Sequence, residues 1–237
     1  MPYLLQDLWA LGSSVDDIIR LIAELNLPPE TTRILDLGCG KGAVLIRLAK
    51  TFGFQVLGID AMLPFLEEAN HKARAYKVAH LCKFESADIR QFTSIPHDFD
   101  VVILASLGGL FGSLKKTVGI LRSQIRADGY IIIDDGYLKS GSRLLRKGYW
   151  HYKNHQASLK ALTSFGDLVR REINTSEFNK EINREYLQVL IHRGLELAEQ
   201  HPELEEEVQS YIEQQKQECT VIEEKIEGTL WLLQKRK

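Results

Sequence analysis

Arg33-Ile34-Leu35-Asp36-Leu37-Gly38-Cys39-Gly40-Lys41-Gly42 is the stretch on which the fold turns: a short apolar run, an acid, then glycine at every second position. The apolar run reads as a buried strand. The glycines let the chain turn tightly and lie bare against a ligand. The helical pattern that follows, over residues 42–52, would aim its free N–H groups and the positive end of its dipole at the same turn. Strand, glycine turn and helix in that order favour a nucleotide-like ligand.

Working outward, short apolar runs alternate with longer amphipathic segments. The pattern predicts strands at 55–59, 82–86, 100–104 and 130–134, and helices at 64–77 and 113–126. A helix over 156–165, a sixth strand from Leu168 and a final strand over 226–234 extend the series. Such alternation predicts an α/β fold, a doubly wound and mostly parallel sheet with helices on both faces, seven-stranded when completed. Ligands of these sheets bind outside the carboxyl ends of the strands, where strand order reverses.

Two charged amphipathic helices, Ser176 to Gln200 and Pro202 to about Cys219, divide at His201-Pro202 and form a hairpin inserted before the last strand. The apolar stripe through Tyr186, Leu187, Val189, Leu190, Leu195 and Leu197 must either cover the site or pair with a second subunit as a homodimer. Glu203, Glu205, Glu206 and Glu207 read as a solvated face. Upstream, Val15 to Leu25 is a helix capped by Ser13 or Ser14 and ended by Leu27-Pro28-Pro29. Before it, Tyr3, Leu4, Leu5, Leu8, Trp9 and Leu11 form an apolar leader, either packed on the domain edge or laid over a ligand mouth. The expected organisation is a single domain over 1–237: leader and helix 1–30, core 31–175, hairpin 176–222 and final strand 223–237.

The chain has 237 residues, 44% hydrophobic and 26% charged, with a formal net charge of -2. That length buries a full core without covalent staples. Cys39, Cys82 and Cys219 are too widely and irregularly spaced for a disulfide framework or a paired-cysteine zinc site, and predict a reducing, cytoplasmic setting. No basic leader and no run near the roughly 18 apolar residues of a membrane span is present, so no membrane partner is expected. Near-neutral charge speaks against nucleic acid, whose phosphates need clustered Lys and Arg. His151 and His155 are spaced i, i+4 without a nearby acidic ligand, so no metal is expected.

Two further acids lie at strand ends. Asp60 closes the second strand 18 residues after Gly42, where a carboxylate accepts hydrogen bonds from both ribose hydroxyls, and Asp88 follows the third. The series Asp36-Leu37-Gly38-Cys39-Gly40-Lys41-Gly42, Gly58-Ile59-Asp60, Ala87-Asp88-Ile89 and Phe99-Asp100-Val101-Val102-Ile103 resembles the successive motifs of class I S-adenosylmethionine-dependent methyltransferases, over roughly residues 10–135. The resemblance implies S-adenosyl-L-methionine as cofactor. It implies that Asp36 orders the loop near the methionine end, that Gly38 and Gly40 pass under the cofactor, that Asp60 holds the ribose, and that Asp88 and Ile89 contact adenine. Cys39, Ala61 and Ala105 complete the implied cofactor-binding set.

Gly38 to Ala43 also satisfies the looser G-x-G-x-x-A pattern of nicotinamide dehydrogenases. Asp36 argues against that reading, because a carboxylate repels a diphosphate and attracts an ammonium and a sulfonium. Tyr149 and Lys153 have the Tyr-x-x-x-Lys spacing of short-chain dehydrogenases but lack the companion motifs.

For the acceptor, Ala105 to Gly112 is an aliphatic, glycine-rich turn with no Asn-Pro-Pro-Tyr-like motif, which argues against flipping a nucleobase. Its Ser106 either packs against the cofactor or handles substrate. Asp134 and Asp135 are the candidate catalytic carboxylates. Alternation along a strand predicts that one of them faces the pocket and that the pair otherwise caps the next segment. Residues 138–153 are basic and aromatic, with Lys139, Arg143, Arg146, Lys147, Tyr149, Trp150, His151, Tyr152 and Lys153. Tyr137, Tyr149, Trp150 and His151 are the candidate substrate-binding residues, and anionic or aromatic acceptors are compatible. With no evident general base, the nucleophile should already be reactive. The expected activity is methyl transfer to a small molecule by proximity and orientation. The alternatives are a protein or RNA methyltransferase docking through Lys139 to Lys153, and a non-catalytic cofactor-binding protein.

Overall fold

The computed structural model describes residues 2–144 and 148–236; Arg146 and Lys147 of the basic segment lie outside the described residues. Seven strands form one sheet: β1 (Arg33–Leu37), β2 (Gln55–Asp60), β3 (Cys82–Ser86), β4 (Phe99–Ala105), β5 (Ile125–Leu138), β6 (Leu168–Asn174) and β7 (Ile226–Gln234), in the order β3-β2-β1-β4-β5-β7-β6. Neighbours from β3 to β5 pair in parallel, and β7 runs antiparallel to both β5 and β6. Strand order reverses between β1 and β4, so the cleft where a ligand belongs opens above Asp36 and Ala105.

Side-chain alternation gives each strand one face per helical layer. Ile34, Val101, Ile103 and Ile132 pack with α1 (Val15–Glu24), α2 (Ala43–Phe52) and α3 (Leu63–Ala75). Leu35, Leu37, Val102, Leu104, Ile131 and Ile133 pack on the other face, beside α4 (Ile89–Phe92), α5 (Leu114–Arg122) and α6 (His155–Leu162). Burial on both faces explains why the central strands read as continuous aliphatic runs.

Several boundaries differ from the sequence expectation, and β5 in addition runs on to Leu138. β5 begins at Ile125, not Tyr130, and passes through Asp128 and Gly129; a register shift against β4 between Phe99 and Val101 absorbs the irregularity. α5 correspondingly ends at Arg122, because Ser123 and Gln124 give their carbonyls to the N–H groups of His97 and Phe99. α7 (Ser176–Gln200) matches its expected range, whereas α8 (Glu205–Lys225) continues past Cys219 and runs into β7 without a linker. Helix-forming residues through Glu223-Glu224-Lys225 carry it on.

α7 and α8 cross closely at Gly194, where a Cβ would lie 2.7 Å from Ile212 Cδ1. Leu190, Val208 and Ile212 bury their side chains there with Leu4 of the leader. Leu5 and Leu8 pack between Phe65 of α3 and Tyr186 and Val189 of α7. The apolar stripe of α7 is therefore covered by the chain's own leader and by α8, leaving Leu195 58% exposed.

Candidate active site

The glycine turn is held from beneath by β2: the N–H groups of Gly38 and Cys39 donate to the Ile59 carbonyl at 2.7 and 3.1 Å. Gly38 and Gly40 have φ of 78° and 51°, left-handed values that glycine adopts freely. A Cβ on Gly38 would also stand 2.4 Å from Leu107. Cys39 turns its thiol inward against Gly58, and burial pushes its pKa up, so its contribution to the site is backbone.

The Asp60 carboxylate organises this loop. Its Oδ2 accepts from Gly40 N–H and its Oδ1 from Met62 N–H, each at 2.8 Å. A carboxylate has about four acceptor positions. Two remain on a half-buried group. Asp36 is 4% exposed at the end of β1, and burial, with the nearby Asp60 charge second, raises its pKa to about 7. A buried carboxylate in that state gains most from a cationic ligand. Asp88 caps α4 through Arg90 N–H and carries the Arg90 guanidinium on both oxygens, which lowers its pKa. Ile89 and Ala105 are buried beside the cleft and Ala61 is exposed at the end of β2.

Lys41, the charged residue inside the glycine turn, is 1% exposed. Its Nζ donates to the carbonyls of Leu5 and Gln6 at 2.8 and 3.1 Å and pairs with Glu68 at 2.8 Å, while Trp9 Nε1 donates back to the Lys41 carbonyl at 3.0 Å. The leader is thus clasped onto the loop, with Leu11 above Gly40. The leader packs on the domain, the first of its two expectations, with the glycine turn as its seat.

Beyond β4 lies a cavity of about 390 Å³, walled by the Ser106–Gly109 turn, Asp134 and Asp135, the 148–152 segment, and Asn179, Asn183, Glu218 and Ile222 of the hairpin. β4 stops at Ala105, paired with Asp134, while β5 continues to Leu138. The cavity occupies the place a longer β4 would have filled. Both residues line it, while their side chains still alternate along the strand, Asp134 toward Ser14 and Asp135 toward Tyr152. Asp134 accepts from Ser14 N–H at 3.0 Å, and burial raises its pKa to about 6. Burial raises Asp135 to about 7 against the pull of the Tyr152 hydroxyl, which donates to it. Ser106 adopts φ of 57°, uncommon for a residue with a side chain, and its N–H donates to the Asp134 carbonyl at 2.9 Å.

Of the expected substrate-binding residues, Ser106, Tyr149 and His151 line the cavity, and Tyr149 hydrogen-bonds Glu218. Tyr137 does not: two residues beyond Asp135 on the same face of β5, its ring lies 4.6 Å from that of His155 and 6.4 Å from that of Trp231. Trp150 is 61% exposed in an outer groove with Lys139 and Arg143. His155 opens α6 and pairs with Glu172, so His151 stands before the helix and the i, i+4 pair never shares a helical face. The contributions of Asn179, Asn183, Glu218 and Ile222 were absent from the sequence reading. Their i, i+4 spacings put each pair on one helix face, but nothing local says that face meets a sheet edge.

This arrangement defines a doubly wound protein with a nucleotide-type cleft at the switch point and a second cavity beside it. A family model described as a methyltransferase domain matches residues 29–228, and the chain belongs to that family. A solved S-adenosylmethionine-dependent methyltransferase from Geobacter sulfurreducens, in complex with S-adenosyl-L-homocysteine, has the same fold with a TM-score of 0.84, at 20% identity over 99% of this chain and 97% of that one. The carboxy-S-adenosyl-L-methionine synthase of a Nitratiruptor species is 38% identical over 27% of each chain. Phosphoethanolamine N-methyltransferase 1 of Zea mays is 25% identical over 72% of this chain and 33% of its own length. The chain spans a third or less of the length of these two relatives. Among the described residues no helix is long and apolar enough to cross a membrane.

Proposed function

We propose that this chain transfers a methyl group from S-adenosyl-L-methionine to a small molecule held in the cavity beyond β4. The observation that carries the acceptor's size is the cavity of about 390 Å³, enclosed between the strand ends, the hairpin and the residue 148–152 segment. That volume suits a small ligand. Family membership and the solved relative that holds S-adenosyl-L-homocysteine support the cofactor.

The donor supplies an electrophilic methyl on a sulfonium. The chain supplies place and surroundings. Asp60 keeps two acceptor positions for the ribose hydroxyls, Asp36 balances positive charge on the amino-acid end, and the leader held by Lys41 keeps water from the loop. Ser106, Asp134 and Asp135 stand at the junction of cleft and cavity and orient the acceptor. Holding the two reactants in line accounts for much of the acceleration expected of such an enzyme.

Two measurements test this reading. Calorimetry should show binding of S-adenosyl-L-methionine and S-adenosyl-L-homocysteine but not NAD; the reverse result rejects it. Incubation with methyl-labelled donor and a cell extract should place the label in the small-metabolite fraction, and label confined to protein or RNA would reject the small acceptor.

A further inference from the structure

The cavity beyond β4 does not end at Ser106. A second space of about 280 Å³ adjoins it, with Gly12, Ser106, Ile182, Asn183 and Ile222 among the residues common to both. The second space lies between the leader and the hairpin, against a wall of Leu5, Leu8, Leu11, Ile182, Tyr186 and Ile222. Tyr186 donates its hydroxyl to Gln215 Oε1 at 3.0 Å, so its polar atom is already satisfied. The leader side of this wall is fixed in place. Lys41 Nζ holds the Leu5 and Gln6 carbonyls, and Arg193 pairs with Asp7 at 2.6 Å. Asp36, Gly38, Gly40 and Asp60 line neither space, which sets this chamber apart from the glycine turn. Joined, the two spaces fall within the range of about 300–1,000 Å³ that pockets for organic ligands span.

The two ends of the chamber differ in chemistry. Ser106, Asp134, Asp135 and His151 line the first. The Nδ1 of His151 lies 3.1 Å from the Gly148 carbonyl oxygen. A carbonyl only accepts, so Nδ1 carries the hydrogen and the neutral ring keeps a lone pair on Nε2. That Nε2 is buried and has no hydrogen-bond partner. The ring fits because the turn beneath it is glycine: a Cβ on Gly109 would lie 2.4 Å from Nδ1. Buried polar atoms without partners are rare and call for an explanation. A guest with a hydrogen to donate supplies one. The aliphatic side chains of the second end ask for the opposite, because apolar surface gains in proportion to the area that a guest removes from water.

We propose that the methyl acceptor is an elongated, amphipathic molecule, its polar end among Ser106, Asp135 and His151 and its apolar chain or ring running past Ile182 and Ile222 into the space beside the leader. The inference rests on the methyltransferase reading and names the class of its acceptor. The order of the two ends follows from the walls. A polar group among Leu5, Leu8 and Leu11 would lose water without gaining a partner, and an apolar one beside Nε2 would leave that atom unpaired. Ile182 of α7 and Ile222 of α8 line both spaces and so form the passage between them. The length of the apolar part is what such a site reads.

The test uses the full chain loaded with S-adenosyl-L-homocysteine and the n-alkanols from ethanol to n-octanol as probes that share one head group. Calorimetry should show affinity rising about threefold to fourfold for each added methylene; affinity independent of length overturns the proposal. Ile182→Trp narrows the passage and should flatten the rise, with Ala10→Phe on the leader as a second variant, while S-adenosyl-L-homocysteine affinity stays within about threefold of the parent. A rise as steep in both variants as in the parent would place the chain elsewhere and overturn it. The spectroscopic arm needs no variant. The methyl resonances of Leu5 and Leu8 should shift with n-octanol but not with ethanol, and the ¹⁵N resonance of His151 Nε2 should pass from a free lone pair to a hydrogen-bonded one. A shift at Leu8 with Nε2 still free would overturn the placement of the polar end. For the natural acceptor, label moved from methyl-labelled donor into the small molecules of a cell extract should pass into a chloroform phase. Label that stays wholly in water overturns the amphipathic class and spares methyl transfer. If S-adenosyl-L-homocysteine itself fails to bind, the methyltransferase reading falls and the acceptor class with it.

Discussion

The glycine turn after β1 and the cavity beyond β4 are neighbours built in different ways. Gly38 donates to the Ile59 carbonyl, and Gly40 and Met62 to the Asp60 carboxylate, all within 25 residues of chain. The cavity takes its walls from the β4 turn, the end of β5, the 148–152 segment and both hairpin helices, more than 100 residues from one side to the other. The first is a loop conformation, and its residue types are dictated by geometry. The second is an assembly, and its residue types answer to whatever the guest requires.

If the two are separable, substitutions should divide cleanly between them. The largest effect is expected from Asp60→Ala, which removes both loop hydrogen bonds and the diol acceptor. Calorimetry should show S-adenosyl-L-homocysteine affinity reduced by about 100-fold or more, consistent with about 1.5–3 kcal/mol for each hydrogen bond to a charged group. Asp134→Asn should leave that affinity within about threefold while lowering turnover; equal loss of binding in both variants would erase the division. Gly194→Val should force α7 from α8 at Ile212, at a cost of about 1–3 kcal/mol in denaturant melts. It should raise the acceptor KM while sparing cofactor affinity.

A smaller effect probes the clasp. Lys41→Met keeps an apolar stem but loses the Leu5 and Gln6 carbonyls and Glu68. Amide exchange in residues 3–12 should quicken at least tenfold relative to β1, and an unchanged pattern would remove the clasp from the account. The smallest is a pH effect at Asp36. Its folded pKa of about 7 lies above the ordinary 3.8, so its contribution to stability is present at low pH and lost as pH rises through about 7. Asp36→Asn should therefore melt higher than the parent without ligand, by a margin that grows from pH 5 to pH 8, yet bind the cofactor less well. A constant margin would contradict the buried charge.

The same contrast explains what the sequence disclosed. The glycine spacing, the acid at the end of β1 and the acid at the end of β2 are local, and local backbone demands leave local signatures. Asp134 and Asp135 were visible as acids at a strand end, but that both line the cavity depends on β4 stopping at Ala105, which the sequence of β5 does not record. The basic run near Lys139 looked like the substrate surface because charge is legible and direction is not; its Lys139 turns to the end of α8 instead. Tyr137 was misplaced for a simpler reason: it shares the Asp135 face of β5, but two residues further on it packs against His155 and Trp231 instead of the cavity. His151 carried no signal of its unpaired nitrogen, which exists only once Gly108 and Gly109 are packed beneath the ring.

The leader has a consequence for how the molecule is made. Tyr3 bonds Glu196 and Asp7 pairs with Arg193, partners 193 and 186 residues further along, whereas Lys41 reaches Leu5 across only 36. Contacts of such separation close late, because the intervening chain must first be ordered. Residues 3–11, early in the chain, are thus among the last to be fixed, and the sheet with its cofactor cleft can form before the chamber beside it exists.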